Sequence, residues 1–488
     1  MHRPHARLAA TLACATLAVG TSSLGGSASA EPTAGPPLAL WAPDKVVTES
    51  WGGRVFSDFG LRVTAPTAPF ELWSTRASYK EPIQTEWRAA DGTVLGRLDA
   101  GTMPNFNGLP DFVAITVRRV SDGAVVRRRS QDACFNGRSQ RIEPDAPAGS
   151  PYPQGCPWNP YTLGSVMGVQ QGHAVSIGNE WARPMRLGPG RYDVTSRIAP
   201  SYVTTFGIAR ADAQRTTRLV VTDGRNASGA RRTTAEAPAS GTASPAAREP
   251  STQAAGVVPE TQPDLRSLPA FGAQVNGKGT MLRFSATVWN GGDSPLVVDG
   301  FRAAGEDHLD AYQYFFDAAG NETAHQLVGQ MHWHADNHNH WHFEDFAQYS
   351  LLSADKTEVV RSTKQSFCLA NTDAVDYTRP HADWNPTNTS LESECGEADA
   401  ISVRQVLAAG SGDTYTQYRA GQAFPIKNLP NGVYWIKVAA NPFANLVESD
   451  STNNASLRKV RIGGTAAKRW VRSPQVGIIE ETLPDFFG

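Results

Sequence analysis

Residues Asp111–Phe135 read DFVAITVRRVSDGAVVRRRSQDACF. Two runs rich in β-branched residues flank Asp122-Gly123, the pattern of two strands joined by a tight hairpin turn. The same stretch aligns without a gap on Asp345–Leu369, DFAQYSLLSADKTEVVRSTKQSFCL. Upstream, WRAADG at Trp87 echoes FDAAGN at Phe316, and downstream LGPGRYDVTSRIAP at Leu187 echoes LPNGVYWIKVAANP at Leu429. Between them Cys134 and Cys156 match Cys368 and Cys395. The matches keep one order in both halves, which points to a degenerate internal duplication. The plainer alternative is two β-sandwiches that share turn chemistry by chance.

The rest of the chain agrees with an all-β fold. Asp91-Gly92 separates β-rich runs, Gly291-Gly292-Asp293 breaks off MLRFSATVWN, and Asn431-Gly432 precedes VYWIKV. No amphipathic helical period of useful length appears. From residue 224 to about 260 the composition falls to Ala, Ser, Thr, Pro and Gly, which cannot bury enough apolar surface to offset the entropy of ordering. The expected architecture is two β-sandwich-like domains, 31–223 and 261–464, joined by a flexible linker over 224–260 and followed by a tail over 465–488.

The N-terminus carries His2, Arg3 and Arg7, the apolar run LAATLACATLAVG, and the small-residue site Ala28-Ser29-Ala30. That is the pattern of a secretory signal peptide over 1–30, so the mature protein is expected to be secreted. No later segment is long and apolar enough to predict a membrane span. The formal net charge of −2 gives no footprint for nucleic acid. The arginines between Arg118 and Arg129 read as solvated strand edges. Cys14 leaves with the signal, and an even four remain in an oxidising compartment. Cys134–Cys156 and Cys368–Cys395 are the simplest of three pairings, each worth roughly 3 kcal/mol by loop-closure entropy.

Chemistry concentrates in Met331–Phe346, MHWHADNHNHWHFEDF, which holds five of the chain's eleven histidines. In an extended strand, residues two apart share a face. His338, His340 and His342 would then present three imidazoles together, enough to hold one metal ion. Imidazole alone suits Zn, Cu, Fe and Ni, so the residues by themselves predict a metal site and leave the metal open. By the gapless alignment, His338, His340, His342 and Lys364 fall on Pro104, Phe106, Gly108 and Ser130. The N-terminal half is therefore expected to lack the chemistry.

The order HxHxH, DF, KQSFCL, DTY and NPFANLVESDSTNN, over about Pro263 to Gly463, resembles the catalytic domain of the lysyl oxidases, copper-dependent protein-lysine amine oxidases. The resemblance implies copper on His338, His340 and His342. It also implies a lysyl tyrosylquinone cofactor made from Lys364 of KQSFCL and Tyr415 of Asp413-Thr414-Tyr415. The substrates would be protein lysine or small primary amines and molecular oxygen, with aldehyde, hydrogen peroxide and ammonia as products. A carboxylate base would remove the substrate's α-proton, and Asp345, just after the histidine strand, is the candidate. Two features depart from the animal enzymes. His334 lies four residues before His338 rather than three, and this half has two cysteines where those domains have many.

Glu448, Asp450, Asn453 and Asn454 offer hard oxygen ligands of the kind calcium takes. The resemblance adds Asp264 and the backbone carbonyl of Leu265 to that site. A non-catalytic secreted copper-binding β-sandwich is the competing reading. It needs the histidines but neither Lys364 nor Tyr415. A zinc hydrolase is less supported, since no His-Glu-x-x-His motif occurs.

Overall fold

A long strand, Leu109–Arg119, forms where Phe112, Val113, Ile115 and Val117 turn inward, and it pairs antiparallel with Val125–Ala133. The structure is a computed structural model describing residues 37–481, except 58, 178–183, 225–257, 304, 318–319, 335–338, 363, 365, 386–392, 420 and 466–467. The signal segment 1–30, nearly all of the linker 224–260, and His338 lie outside the described residues. Strands dominate throughout, and the one α-helix among the described residues is the six-residue Pro200–Thr205. No described helix is long and apolar enough to cross a membrane.

The sheet built on the hairpin runs Val125–Ala133, Leu109–Arg119, Gly190–Ile198, Gln214–Asp223 and, in parallel, Lys45–Ser50. In the second half a sheet runs Glu358–Arg361, Ala347–Leu352, Gly432–Ala440, Ala455–Thr465 and Lys468–Arg472. The first four strands of each follow the same order in sequence. The registers coincide as well. Val113 pairs with Ile198 and Ile115 with Ser196, while Ala347 pairs with Ala440 and Tyr349 with Val438. These are the positions that the two sequence alignments superpose. Asp111 and Asp345 both take left-handed backbone, φ 48° and 58°, at the entry to the shared hairpin. Tyr192 donates to the Gly188 carbonyl at 2.9 Å and Tyr434 to the Pro430 carbonyl at 2.7 Å, four residues back in each case. The disulfides are Cys134–Cys156 and Cys368–Cys395, with Cα separations of 5.9 and 5.7 Å.

A second pair of sheets is also alike. Gly164–Val169, Phe70–Thr75, Gln84–Arg88 and Val94–Arg97 run in the order of Ser402–Leu407, Leu296–Phe301, His308–Phe316 and Glu322–His334. Only the second sheet continues, into the histidine strand His340–Phe343. A third sheet of the C-terminal half runs Leu265–Ser267, Met281–Asn290, Ser411–Tyr415 and Asp373–Ala374. The strand Ala455–Thr465 and its partner Lys468–Arg472 carry the C-terminal fold past the expected boundary at 464.

Each half has its own apolar core, around Phe70, Phe112 and Phe135 in one and Phe284, Tyr349 and Phe367 in the other. Both halves lie in one compact unit. The Leu163 N–H donates to Val375 O at 2.7 Å, Tyr377 N–H to Gly164 O at 3.0 Å, and Thr162 Oγ1 to Ala374 O at 2.8 Å. A small shared core of Tyr161, Phe271, Trp289, Val375 and Ile479 seals the junction. Of the arginines between Arg118 and Arg129, Arg118, Arg119, Arg127 and Arg128 are exposed.

Candidate functional site

Antiparallel pairing of His340–Phe343 with the end of Glu322–His334 sets His342 opposite His332 and His340 opposite His334. Opposed residues share a face, so four imidazoles gather on one side of the sheet. The His334 and His342 ring centroids lie 4.2 Å apart, and those of His340 and His342 4.7 Å apart. Between them Trp341 points the other way, 1 % exposed, and its indole N–H donates to Glu397 O at 2.8 Å. This alternation holds the histidine strand in register, because a one-residue slip would bring the imidazoles into the core. An all-nitrogen donor set on one sheet face fits copper. His338, the third expected ligand, is outside the described residues.

A two-bond bridge between Phe343 and Phe367 ties this strand to the KQSFCL segment, with N···O distances of 2.8 and 3.0 Å. The Ser366 hydroxyl then sits 3.2 Å from His342 Nδ1 and 3.2 Å from His334 Nε2. Burial, with the Lys364 charge second, holds the His334 imidazole below its ordinary pKa and so favours the neutral ring. His334, whose offset from the animal enzymes left it without a role in the sequence, belongs to this cluster. Ser366, which no motif singles out, links the rings.

Two residues before Ser366, Lys364 is only 8 % exposed, and its Nζ lies 4.5 Å from the centroid of the Tyr415 ring. Phe367 packs edge-on to Tyr415 at 4.7 Å and lies 4.8 Å from the same amine. The Tyr415 hydroxyl donates to Cys368 O at 3.1 Å and accepts from the Cys368 N–H at 3.2 Å. The Cys368–Cys395 disulfide is therefore next to the groups that orient the phenol. Burial lowers the Lys364 ammonium to about pKa 8, and burial raises the Tyr415 phenol well above its ordinary value. A lysine near pKa 8 is partly neutral, hence nucleophilic, at physiological pH. The fold thus brings together two side chains about fifty residues apart, beside the imidazole face. Asp345, by contrast, makes no hydrogen bond or ion pair among the described residues, and nothing ties it to Lys364 or Tyr415.

The paired strands Glu322–His334 and His340–Phe343, the Lys364 segment and the Tyr415 strand all fall within residues 316–471, which match the family model described as Lysyl oxidase. The C-terminal half is related to the lysyl oxidase family. Lysyl oxidase homolog 2A of Danio rerio is 32 % identical over 146 residues, 30 % of this chain and 17 % of that protein. Lysyl oxidase homolog 2 of Bos taurus is 28 % identical over 225 residues, 45 % of this chain and 23 % of that protein. The chain thus spans less than a quarter of the length of these relatives.

The expected calcium residues also meet. Asn453 Nδ2 donates to Asp264 Oδ1 at 2.9 Å and to Asp450 Oδ2 at 3.1 Å. Glu448 accepts from Asn441 and Asn454 at 2.6 and 2.7 Å, and from the Leu265 N–H at 2.9 Å. The amide oxygens of Asn453 and Asn454 are buried without a hydrogen-bond partner, as oxygens awaiting a cation would be. Arg266 pairs with the other Asp264 oxygen at 2.6 Å. Among the described residues, the one group of three donors whose ligand atoms all lie within 4.8 Å is elsewhere, at Glu306, Asp307 and His308. His308 stacks at 5.8 Å on His332, at the outer edge of the imidazole face.

Proposed function

We propose that the protein is a secreted copper amine oxidase that converts primary amines, peptidyl lysine or small amines, to aldehydes with release of hydrogen peroxide and ammonia. The observation that carries the reading is the Lys364 amine 4.5 Å from the centre of the Tyr415 ring, beside paired histidine strands. A metal-binding module requires the imidazoles but gains nothing from a desolvated lysine facing a buried phenol. Copper on His338, His340 and His342 would supply the oxidation of the Tyr415 ring by O₂ that lets Lys364 bond to it as lysyl tyrosylquinone.

The chain's own residues do the remaining work. Ser366 orients the His334 and His342 rings, and the backbone of Cys368 fixes the phenol oxygen from both sides. Phe367 and the sheet beneath exclude water from the amine and the ring, which favours the neutral lysine. Asp345 remains a candidate for the base that takes the substrate's α-proton.

The N-terminal half we read as a degenerate copy of the C-terminal one. Matching strand order, register, tyrosine contacts and disulfides support this. Pro104, Phe106, Gly108 and Ser130 stand where the expected ligands and lysine would fall, so the copy lacks the chemistry. A calcium ion on Asp264, the Leu265 backbone, Glu448, Asp450, Asn453 and Asn454 would join the start of the C-terminal half to its last sheet.

The test is peroxide release by the copper-loaded protein over a panel of primary amines. Tyr415→Phe is expected to keep copper while losing the visible quinone absorption, the phenylhydrazine adduct and turnover. His340→Ala is expected to lose copper and with it the cofactor. Turnover by Tyr415→Phe at the wild-type rate would leave the metal-binding module as the better reading.

A further inference from the structure

The imidazole face does not stop at the expected copper ligands. His308, the first residue of the strand His308–Phe316, is paired with His332, and His332 in turn with His342. Directly opposed residues share a face, so three imidazoles form one row across three neighbouring strands. The row runs outward from the buried His342, through the half-buried His332, to His308 beside the exposed Glu306 and Asp307. The His308 and His332 rings lie 5.8 Å apart and 29° from parallel.

Carboxylates surround the outer end of this row. Glu306 Oε2 lies 3.7 Å and Asp307 Oδ1 3.4 Å from His308 Nδ1, and Asp310 Oδ1 lies 3.7 Å from its Nε2. Glu344 Oε2 lies 3.8 Å from His332 Nε2. Among the described residues, no lysine or arginine forms an ion pair with any of these four acids. Acids elsewhere in this half do have such partners: Asp299 has Arg404, Glu358 has Arg361 and Asp264 has Arg266. Four carboxylates facing two imidazoles leave an excess of negative charge even with both rings protonated, and a divalent cation would offset it. One ligand atom each of Glu306, Asp307 and His308 lie within 4.8 Å of one another, and the two acids are exposed and free to close around an ion. A mixed imidazole and carboxylate set suits copper(II).

We propose that Glu306, Asp307 and His308 form an outer copper(II) site, from which the ion passes by way of His332 to the buried imidazoles. Binding at the outer site stands on these residues alone, whereas the passage inward rests on the amine-oxidase reading above. One nitrogen and two exposed carboxylates hold copper more weakly than a cluster of imidazoles, so transfer runs downhill. The acids also concentrate cations at the mouth of the row, as charged clefts do. Asp310, on the far nitrogen of His308, is placed to orient the ring that presents Nδ1 to the ion.

The experiment titrates the metal-free full chain with copper alone. Equilibrium dialysis counts both ions, whereas desalting strips the weaker one and leaves the inner ion to be counted. The wild type is expected to hold one more copper ion per chain in dialysis than after desalting. His340→Ala is expected to keep only the weaker ion, with the electron paramagnetic resonance of a single nitrogen ligand, and the double variant His308→Ala, His340→Ala to bind none. Glu306→Gln combined with Asp307→Asn leaves the imidazole in place and is expected to weaken the outer ion about tenfold. In His308→Ala the inner ion is expected to reach the wild-type occupancy about tenfold more slowly when copper is limiting. Equal dialysis binding by His340→Ala and the double variant overturns the outer site. Should a histidine variant fail to fold, the acid variant, altered only at exposed side chains, carries the same test: an undiminished outer ion overturns the site. Loading of His308→Ala at the wild-type rate overturns the role in delivery. A wild type that binds the outer ion but retains none after desalting overturns the amine-oxidase reading and the passage inward, and leaves the outer site standing.

Discussion

Replacing Asp373 by asparagine should stabilise the protein at neutral pH and leave it nearly unchanged in acid. Asp373 lies on the short strand that pairs with the Tyr415 strand, opposite Gly412. It is 4 % exposed, and neither carboxylate oxygen completes a hydrogen bond, although Thr414 and Asn159 stand close by. Burial pushes the carboxyl from 3.8 up to about 7. Because the folded value is the higher one, the folded chain keeps a proton that the unfolded chain releases. Below the unfolded value both states are protonated and there is no penalty. As pH rises from 3.8 toward 7, stability falls by about 1.4 kcal/mol for each pH unit, and above that it levels off. The full span is therefore about 4 kcal/mol, from the gap between 3.8 and about 7. Asparagine does not titrate, so the stability difference between variant and wild type should grow by about that amount between roughly pH 4 and pH 8. Urea unfolding of both proteins across this range measures it, since shared titrations cancel in the difference. A difference independent of pH, or a variant less stable at about pH 8, would refute the claim that Asp373 is held protonated by burial.

Two further outcomes are expected. Chelating calcium with EGTA should lower the melting temperature of the wild type, and Asp450→Ala should be indifferent to the chelator. At calcium a hundredfold above its dissociation constant the linkage is about 2.7 kcal/mol, and an unshifted wild-type melt would remove calcium from the Asp264–Asn453 cluster. Asn159→Ala takes away the donor to Thr287 Oγ1, at 2.9 Å, and the acceptor of the Tyr161 N–H, also at 2.9 Å. It should cost about 1–3 kcal/mol in denaturant unfolding. A loss below the error of that measurement would mean that the contact between the halves is dispensable.

Much of the architecture was legible before any coordinates, because strand patterns are local. Alternation along DFVAITV, the Asp-Gly turns and the paired cysteines are read within a few residues. The hairpin sequences that align in the two halves predicted equivalent positions, and the strand pairings fall on those same positions in both halves. The histidine alternation was equally plain, with Trp341 buried and His340 and His342 on the opposite face.

Other parts could not be read this way. Ser366 touches His334 and His342 only because the Phe343–Phe367 bridge brings two separate segments edge to edge. Asn159 comes from the other half of the chain to the back of the Tyr415 strand, a contact 255 residues apart in sequence. Nor does any motif announce that Asp373 is buried with neither carboxylate oxygen hydrogen-bonded, since burial depends on which sheets stack on which. Composition, turn residues and two-residue alternation were thus enough to indicate an all-β chain, the positions at which its two halves align and the residue types gathered in the histidine stretch, because each depends on neighbours along the backbone. The distance from Lys364 to Tyr415, the desolvation that shifts their acidities, and the junction behind them were decided by the tertiary structure. Those quantities depend on long-range packing, which sets both how close distant groups lie and how much water remains between them.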